Sequence, residues 1–299
     1  MARKFYTLDV FTNRALAGNP LAVVMDGSGF DDEAMQAITR EFNLSETVFV
    51  FPPNDESNRA NIRIFTPEYE LPFAGHPTVG TALLLAELDG LGDGDSLVLE
   101  EKVGPVSCKI SGGGIRSARF ELPKESSKVD WPIDADAIAK ALGVSPDDIG
   151  FDDHCVGVWD GGMPYILVPV SSLGAVEQMH VDASLLTEVE PVINGIHANV
   201  YAYCRGGISG DAAFHARMFG GGFGIPEDPA TGSAAASLSG QIAKCEIGDN
   251  ESGTFLIEQG YEMGRPSQIT LDITKANGNI ASAGISGSAV IVSDGMLHL

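Results

Sequence analysis

Positive charge is scarce in this chain: 18 lysines and arginines stand against 41 aspartates and glutamates, a formal net charge of −23 over 299 residues. So acidic a surface repels phosphate backbones, which excludes nucleic-acid binding as a main role and reads most simply as a solubility or salt adaptation. It also repels anionic small molecules at long range, so a carboxylate ligand has to be captured by local dipoles. Cysteine is sparse as well. Cys108, Cys155, Cys204 and Cys245 are scattered, with no CxxC and no paired histidine spacing. That excludes the common zinc patterns and a disulfide framework, and it predicts buried, inert thiols in a reducing compartment. No apolar run is long enough to cross a bilayer; the longest, Val79 to Leu88, contains Thr81 and Glu87. Met1 to Tyr6 lack the apolar stretch of a secretory leader, so a cytoplasmic location without membrane contact is expected.

What is present is a core: 44% of residues are hydrophobic, enough for two domains of ordinary size. The chain also repeats itself. His76-Pro77-Thr78-Val79-Gly80-Thr81-Ala82 matches Asp228-Pro229-Ala230-Thr231-Gly232-Ser233-Ala234 at an offset of 152. Arg63-Ile64-Phe65 and Leu71-Pro72 recur as Arg217-Met218-Phe219 and Ile225-Pro226. An earlier segment, Gly18-Asn19-Pro20-Leu21-Ala22-Val23-Val24, resembles Gly162-Met163-Pro164-Tyr165-Ile166-Leu167-Val168 at an offset of 144. Two echoes in the same order predict a duplicated domain rather than a solenoid, which needs more copies of a shorter period. The first domain is expected over 1–123 and the second over 133–286, with a polar, proline-flanked linker at 124–132. The final segment, 287–299, is strand-like and is expected to return to the first domain.

Alternation and turn residues predict mostly strands in both halves, with Gly112-Gly113-Gly114 as one hairpin turn. Each half also holds one helix that is apolar all round and therefore buried: one opening near Thr78, the other running from Thr231 to Lys244. The predicted class is α+β, two curved and largely antiparallel sheets each holding a helix.

The matching loops are Pro/Gly-rich turns feeding buried helix starts. Such starts offer unpaired N–H groups and partial positive charge, a ready site for a carboxylate. They present His76 in one copy and Asp228 in the other, which duplicated domains would bring to one shared cleft. Each also has an ordinary structural explanation, a turn histidine and a helix N-cap. Glu46 lies between a helix and a strand, and the second half has no carboxylate at the matching position in the aligned segment His197-Ala198-Asn199-Val200-Tyr201. An acid that breaks the repeat in this way is a catalytic candidate. Gly220-Gly221-Gly222-Phe223-Gly224 lacks the Gly-Lys-Ser/Thr ending of a phosphate loop and reads as a flexible loop bordering the cleft. Asp93-Gly94-Asp95 and Asp152-Asp153-His154 lack calcium-loop spacing and sit at turns, so no metal is expected.

Asn19-Pro20, Ser45-Glu46-Thr47, Leu71-Pro72-Phe73-Ala74-Gly75-His76-Pro77-Thr78, Glu227-Asp228-Pro229-Ala230-Thr231-Gly232-Ser233-Ala234 and Glu258-Gln259-Gly260 with Met263-Gly264-Arg265-Pro266-Ser267 run in one order across nearly the whole chain. In this they resemble the phenazine-biosynthesis PhzF-like family, of the diaminopimelate epimerase and proline racemase superfamily. The resemblance implies the diaminopimelate-epimerase fold, with two similar barrels each wrapping a central helix and the active site between them. It implies a cofactor-independent isomerase working by proton transfer on a small carboxylic acid, and a homodimer. By position it makes Glu46 the catalytic glutamate and His76 and Asp228 its assisting polar residues. Ser45, Gly75, Gly232 and Ser233 match the substrate-holding loop positions. The superfamily's epimerases use a pair of cysteines at these loops; here neither loop contains one, which excludes two-thiol racemisation. A glutamate that shuttles a proton near neutral pH must have its pKa raised from about 4.3, by burial or by a neighbouring acid. Two alternatives stay open at this point: a binding protein that keeps the fold without turnover, and a lyase or hydratase on the same scaffold.

Overall fold

The computed structural model describes residues 2–112, 114–220 and 226–299. Gly113 of the expected hairpin turn, most of the Gly220–Gly224 loop and Ile225 of the repeat lie outside the described residues. The chain is an α+β protein rich in strand, and it divides into two compact units: Met1–Pro123 with Ser286–Leu299, and Lys124–Ile285.

Unit one runs β1 (Ala2–Val10), β2 (Asn19–Val24), α1 (Asp32–Phe42), β3 (Glu46–Phe51), β4 (Ala60–Phe65), β5 (Glu70–Leu71), α2 (Gly75–Asp89), β6 (Ser96–Glu101), β7 (Gly104–Ser111) and β8 (Ser117–Glu121). Unit two runs β9 (Ser127–Val129), α3 (Ala135–Leu142), β10 (Gly157–Asp160), β11 (Pro164–Pro169), α4 (Leu173–Glu177), α5 (Ala183–Val189), β12 (Val192–Ile193), β13 (Ile196–His197), β14 (Asn199–Arg205), β15 (Phe214–Phe219), β16 (Glu227–Asp228), α6 (Gly232–Cys245), β17 (Ser252–Gln259) and β18 (Ser267–Ala276). The last strand, β19 (Asn279–His298), begins in unit two and continues into unit one, where its second part pairs with β1.

The two units repeat one pairing scheme. In unit one, β1/β2 is antiparallel, β2/β3 parallel, β3/β4 antiparallel, β4/β6 parallel and β6/β7 antiparallel. In unit two the same alternation runs through β10/β11, β11/β14, β14/β15, β15/β17 and β17/β18. Short β5 pairs with the end of β4, as β16 does with β15. In unit one, β7 pairs with β8 and β8 pairs with β19, so the path of pairings returns to its start and the sheet is barrel-like. Side chains echo the scheme. Arg63 forms a forked pair with Glu70 at 2.7 and 2.6 Å, and Arg217 does so with Glu227 at 2.8 and 2.9 Å. Each guanidinium also lies over a phenylalanine two residues on, Phe65 and Phe219.

Apolar residues all round make α2 and α6 interior helices. Gly75 to Ala86 of α2 are buried without a break. Amphipathic α1 instead turns Met35 and Ile38 onto a cluster with Val24, Phe49 and Phe65, and Asp31 caps its start. Close approach of α2 to the sheet depends on Gly80, where a Cβ would stand 2.7 Å from both Leu21 and Val10. Those side chains are themselves fully buried and cannot move aside. Gly80→Ala should therefore destabilise the fold: overpacking costs about 1–3 kcal/mol against about 1 kcal/mol gained in helix propensity. A lower urea midpoint at unchanged slope is the expected reading; a higher midpoint would refute the close packing.

Three local expectations differ from the structure. Helix α2 starts at Gly75, ahead of Thr78, because Pro77 falls in the first turn, where its missing N–H is not needed. Residues 124–132 are not a free tether. They supply β9, which pairs with β10, and buried Ser126 donates to the Ser237 carbonyl at 2.6 Å. The polar look of the segment hid the pairing. Only Cys108 and Cys204 are buried; Cys155 is exposed just after the turn at Asp152–His154, and Cys245 is partly so at the last residue of α6.

Candidate active site

Strands β2 and β3 are parallel neighbours, with Leu21 opposite Glu46. Glu46 is thus the first residue of a strand, not part of a free turn, and Ser45 precedes it half-buried. His76, the second residue of α2, is 4% exposed. Its Nε2 lies 3.1 Å from Glu46 Oε2, and the Glu46 side chain is only 13% exposed. The ring also hydrogen-bonds the Pro20 carbonyl at the start of β2. Since Nε2 faces Glu46, that bond runs through Nδ1–H, which fixes the tautomer. Burial pushes the imidazole down to about 3, against the opposing pull of the Pro20 bond, so the ring is neutral. The structure therefore brings two of the sequence-predicted residues together.

In unit two, Asp228 is buried at the end of β16 and does not cap α6; that position belongs to Thr231. The Thr231 hydroxyl donates to Asp228 Oδ2 at 2.5 Å. Gln259 ties the same loop: its Nε2 donates to the Asp228 carbonyl at 2.7 Å and to Thr231 Oγ1 at 2.9 Å, and its Oε1 accepts from Thr231 N at 3.1 Å. Gly232 opens α6, and Ser233 Oγ lies 2.8 Å from the Tyr165 hydroxyl. Tyr165 and Gln259, both inside the quoted motifs but not among the predicted site residues, are the side chains that tie this loop. The register of β11 and β14 puts Asn199 opposite Tyr165, as Glu46 is opposite Leu21. The position matching Glu46 carries no carboxylate.

Both buried helices start without a side-chain cap: Ala74 and Thr231, at the cap positions of α2 and α6, make no side-chain bond to the helix. Their first N–H groups, with Gly75 and Gly232 leading, keep the partial positive charge of a helix start. Among the described residues no group of three or more His, Cys, Asp or Glu side chains is arranged to hold a metal ion. Asp93 and Asp95 accept from the N–H groups of Gly112 and Gly92, while Asp152 pairs with Arg205.

Comparison with known proteins places the whole chain in one family. A family model described as phenazine biosynthesis-like protein matches residues 8–295. An uncharacterized isomerase of Mesorhizobium japonicum is 48% identical, over 99% of both chains. The trans-2,3-dihydro-3-hydroxyanthranilate isomerase of Pseudomonas aeruginosa is 31% identical, again over 99% of both. The crystal structure of a PhzF-family phenazine biosynthesis protein from Bacillus anthracis superposes with a TM-score of 0.87, at 26% identity and 100% coverage of both chains. Matched along nearly its whole length by the family model and by relatives that are isomerases, the chain belongs to the phenazine biosynthesis-like PhzF family of isomerases.

Proposed function

We propose that this isomerase moves a proton, without a cofactor, on a small cyclic or unsaturated carboxylic acid, and that Glu46 carries the proton. The observation behind this is the buried contact of 3.1 Å between Glu46 Oε2 and His76 Nε2. A neutral imidazole whose Nδ1–H is committed to a carbonyl presents a lone pair at Nε2. A proton placed between that lone pair and the Glu46 oxygen would turn the close contact into a hydrogen bond. Glu46 is then a protonated acid that can deliver its proton to one carbon and, as carboxylate, remove one from another. One C–H bond forms and one breaks while the double bond shifts, so the reaction is redox-neutral and its balance calls for no further reactant.

His76 and Asp228 assist, and Ser45, Gly75, Gly232 and Ser233 hold the substrate, its carboxylate received by backbone N–H groups. The acidic surface favours such capture by dipoles over capture by lysine or arginine. We also infer a duplicated barrel, each copy wrapping one buried helix. The repeated strand pairings, the paired Arg–Glu forks and the sequence offsets support it.

The test uses trans-2,3-dihydro-3-hydroxyanthranilate, the compound in the name of the P. aeruginosa relative, incubated with enzyme in D2O. Isomerisation with one deuterium taken into carbon is expected. If neither this compound nor other unsaturated cyclic carboxylates exchange a carbon-bound proton, the reading is wrong.

A further inference from the structure

Behind the first turn of α2 lies a second buried carboxyl, at the end of β6, that the proposed reaction does not use. Glu101 is 7% exposed, and its Oε1 lies 2.7 Å from Thr78 Oγ1. Thr78 Oγ1 is also 2.8 Å from the Ala74 carbonyl, which can only accept. A threonine hydroxyl has one proton. With that proton on the Ala74 carbonyl, a neutral Glu101 supplies the one for its own contact; with it on Glu101, the Ala74 carbonyl keeps only the Thr78 N–H, at 3.2 Å.

The other carboxyl oxygen gives an independent sign. Glu101 Oε2 is buried with no hydrogen-bond partner among the described residues, a costly state for an ionised oxygen and a tolerable one for a neutral acid. The adjacent Glu100 shows the contrast. It accepts from the backbone N–H groups of Asn54 and Asp55 and from the amides of Asn54, Asn58 and Asn61, and these bonds hold it ionised, down to about 2.

Unit two supplies the decisive comparison. Strand register sets Asn61 opposite Glu100 and His215 opposite Glu258. Glu258 accepts from the N–H groups of Ile208 and Ser209, as Glu100 does from Asn54 and Asp55. The residue after Glu258 is Gln259, so Gln259 matches Glu101. Gln259 is permanently neutral and donates to Thr231 and to the Asp228 carbonyl at the approach to α6. One unit has a glutamine where the other has a glutamate, both aimed at a threonine hydroxyl at the start of a buried helix.

We propose that Glu101 is a positioning residue of the Glu46–His76 site, acting as a neutral acid that donates to Thr78 and so fixes the first turn of α2, from which His76 projects. The inference rests on the reading that this helix start serves the reaction. Burial pushes the Glu101 carboxyl up to about 8, so it is protonated at neutral pH and ionises in mild alkali. The titratable groups near it are Cys108 on β7, whose thiol burial also pushes up, His76 on α2, held neutral, and the ionised Glu100 on its own strand. Ionisation of Glu101 draws the Thr78 proton from the Ala74 carbonyl to the carboxylate, and the turn bearing His76 shifts.

The experiment compares the wild type with Glu101→Gln, which keeps the donor but cannot ionise, and Glu101→Leu, which removes it. The His76 ring nitrogen and Gly75 amide resonances should move between about pH 7 and 9 in the wild type and stay fixed in Glu101→Gln. The carbonyl stretch of a buried protonated carboxylic acid should be present at neutral pH and absent from Glu101→Gln. In the exchange assay Glu101→Gln should stay within about twofold of the wild type and lose the alkaline fall in kcat/KM, whereas Glu101→Leu should lose about tenfold or more at every pH. An ionised Glu101 at neutral pH, or resonances at His76 and Gly75 that follow the same pH course in Glu101→Gln, would overturn the proposal. The spectroscopic readings need no substrate, so an enzyme that fails the exchange assay refutes the proposed reaction while the role of Glu101 is still decided.

Discussion

Glu46→Gln is expected to bind the substrate about as well as the wild type and to turn it over at least about 10²-fold more slowly, the loss typical of removing a general acid–base group. Glutamine keeps the size and the hydrogen bonding of the side chain but holds no transferable proton. Its NH2 can still donate to the lone pair at His76 Nε2, so the buried contact of 3.1 Å survives the change. A drop in kcat with KM nearly unchanged separates lost chemistry from lost binding. His76→Ala and Asp228→Asn should cost less in rate or weaken binding as well, because in the proposed reaction neither carries the proton. Deuterium incorporation by each variant is the measurement, and exchange at the wild-type rate in Glu46→Gln would mean that another group carries the proton.

The second large effect is on stability in acid. His76 has an ordinary value of 6.5 and is pushed down to about 3 by burial. Between those two values the unfolded chain binds a proton at this position and the folded protein does not, so stability falls as pH falls from about 6.5 to about 3. At about 1.36 kcal/mol per pH unit, the loss attributable to His76 is on the order of 4 kcal/mol. His76→Asn, neutral throughout, should be less stable than the wild type at pH 7 but should lose less on acidification. The difference between the two proteins in urea unfolding, followed against pH, isolates the histidine from the many carboxylates that titrate in the same range. Parallel curves would mean that the ring is not held neutral in the folded state.

The class and the family are legible in the residues themselves, and so are the candidates for the chemistry. The Pro/Gly-rich loops, the two helices without a polar face and the glutamate lacking a counterpart are local or repeating features, and local features survive in a linear string. The absence of cysteine from both loops is equally plain, and it removes thiol chemistry whatever the fold. What the string does not carry is proton placement. Glu46 meets His76 because parallel pairing of β2 with β3 sets that register and because α2 begins early, at Gly75. Asp228 looks like a helix cap in sequence, yet Thr231 takes the cap position once β16 pairs with β15 and draws Asp228 back into the sheet. Glu100 and Glu101 are neighbours of the same residue type. Alternation along β6 nevertheless gives one five donors and leaves the other a contact with a single hydroxyl. Whether a carboxyl keeps its proton depends on desolvation and on the donors within reach, and both are set by residues distant in sequence that only the tertiary structure brings together.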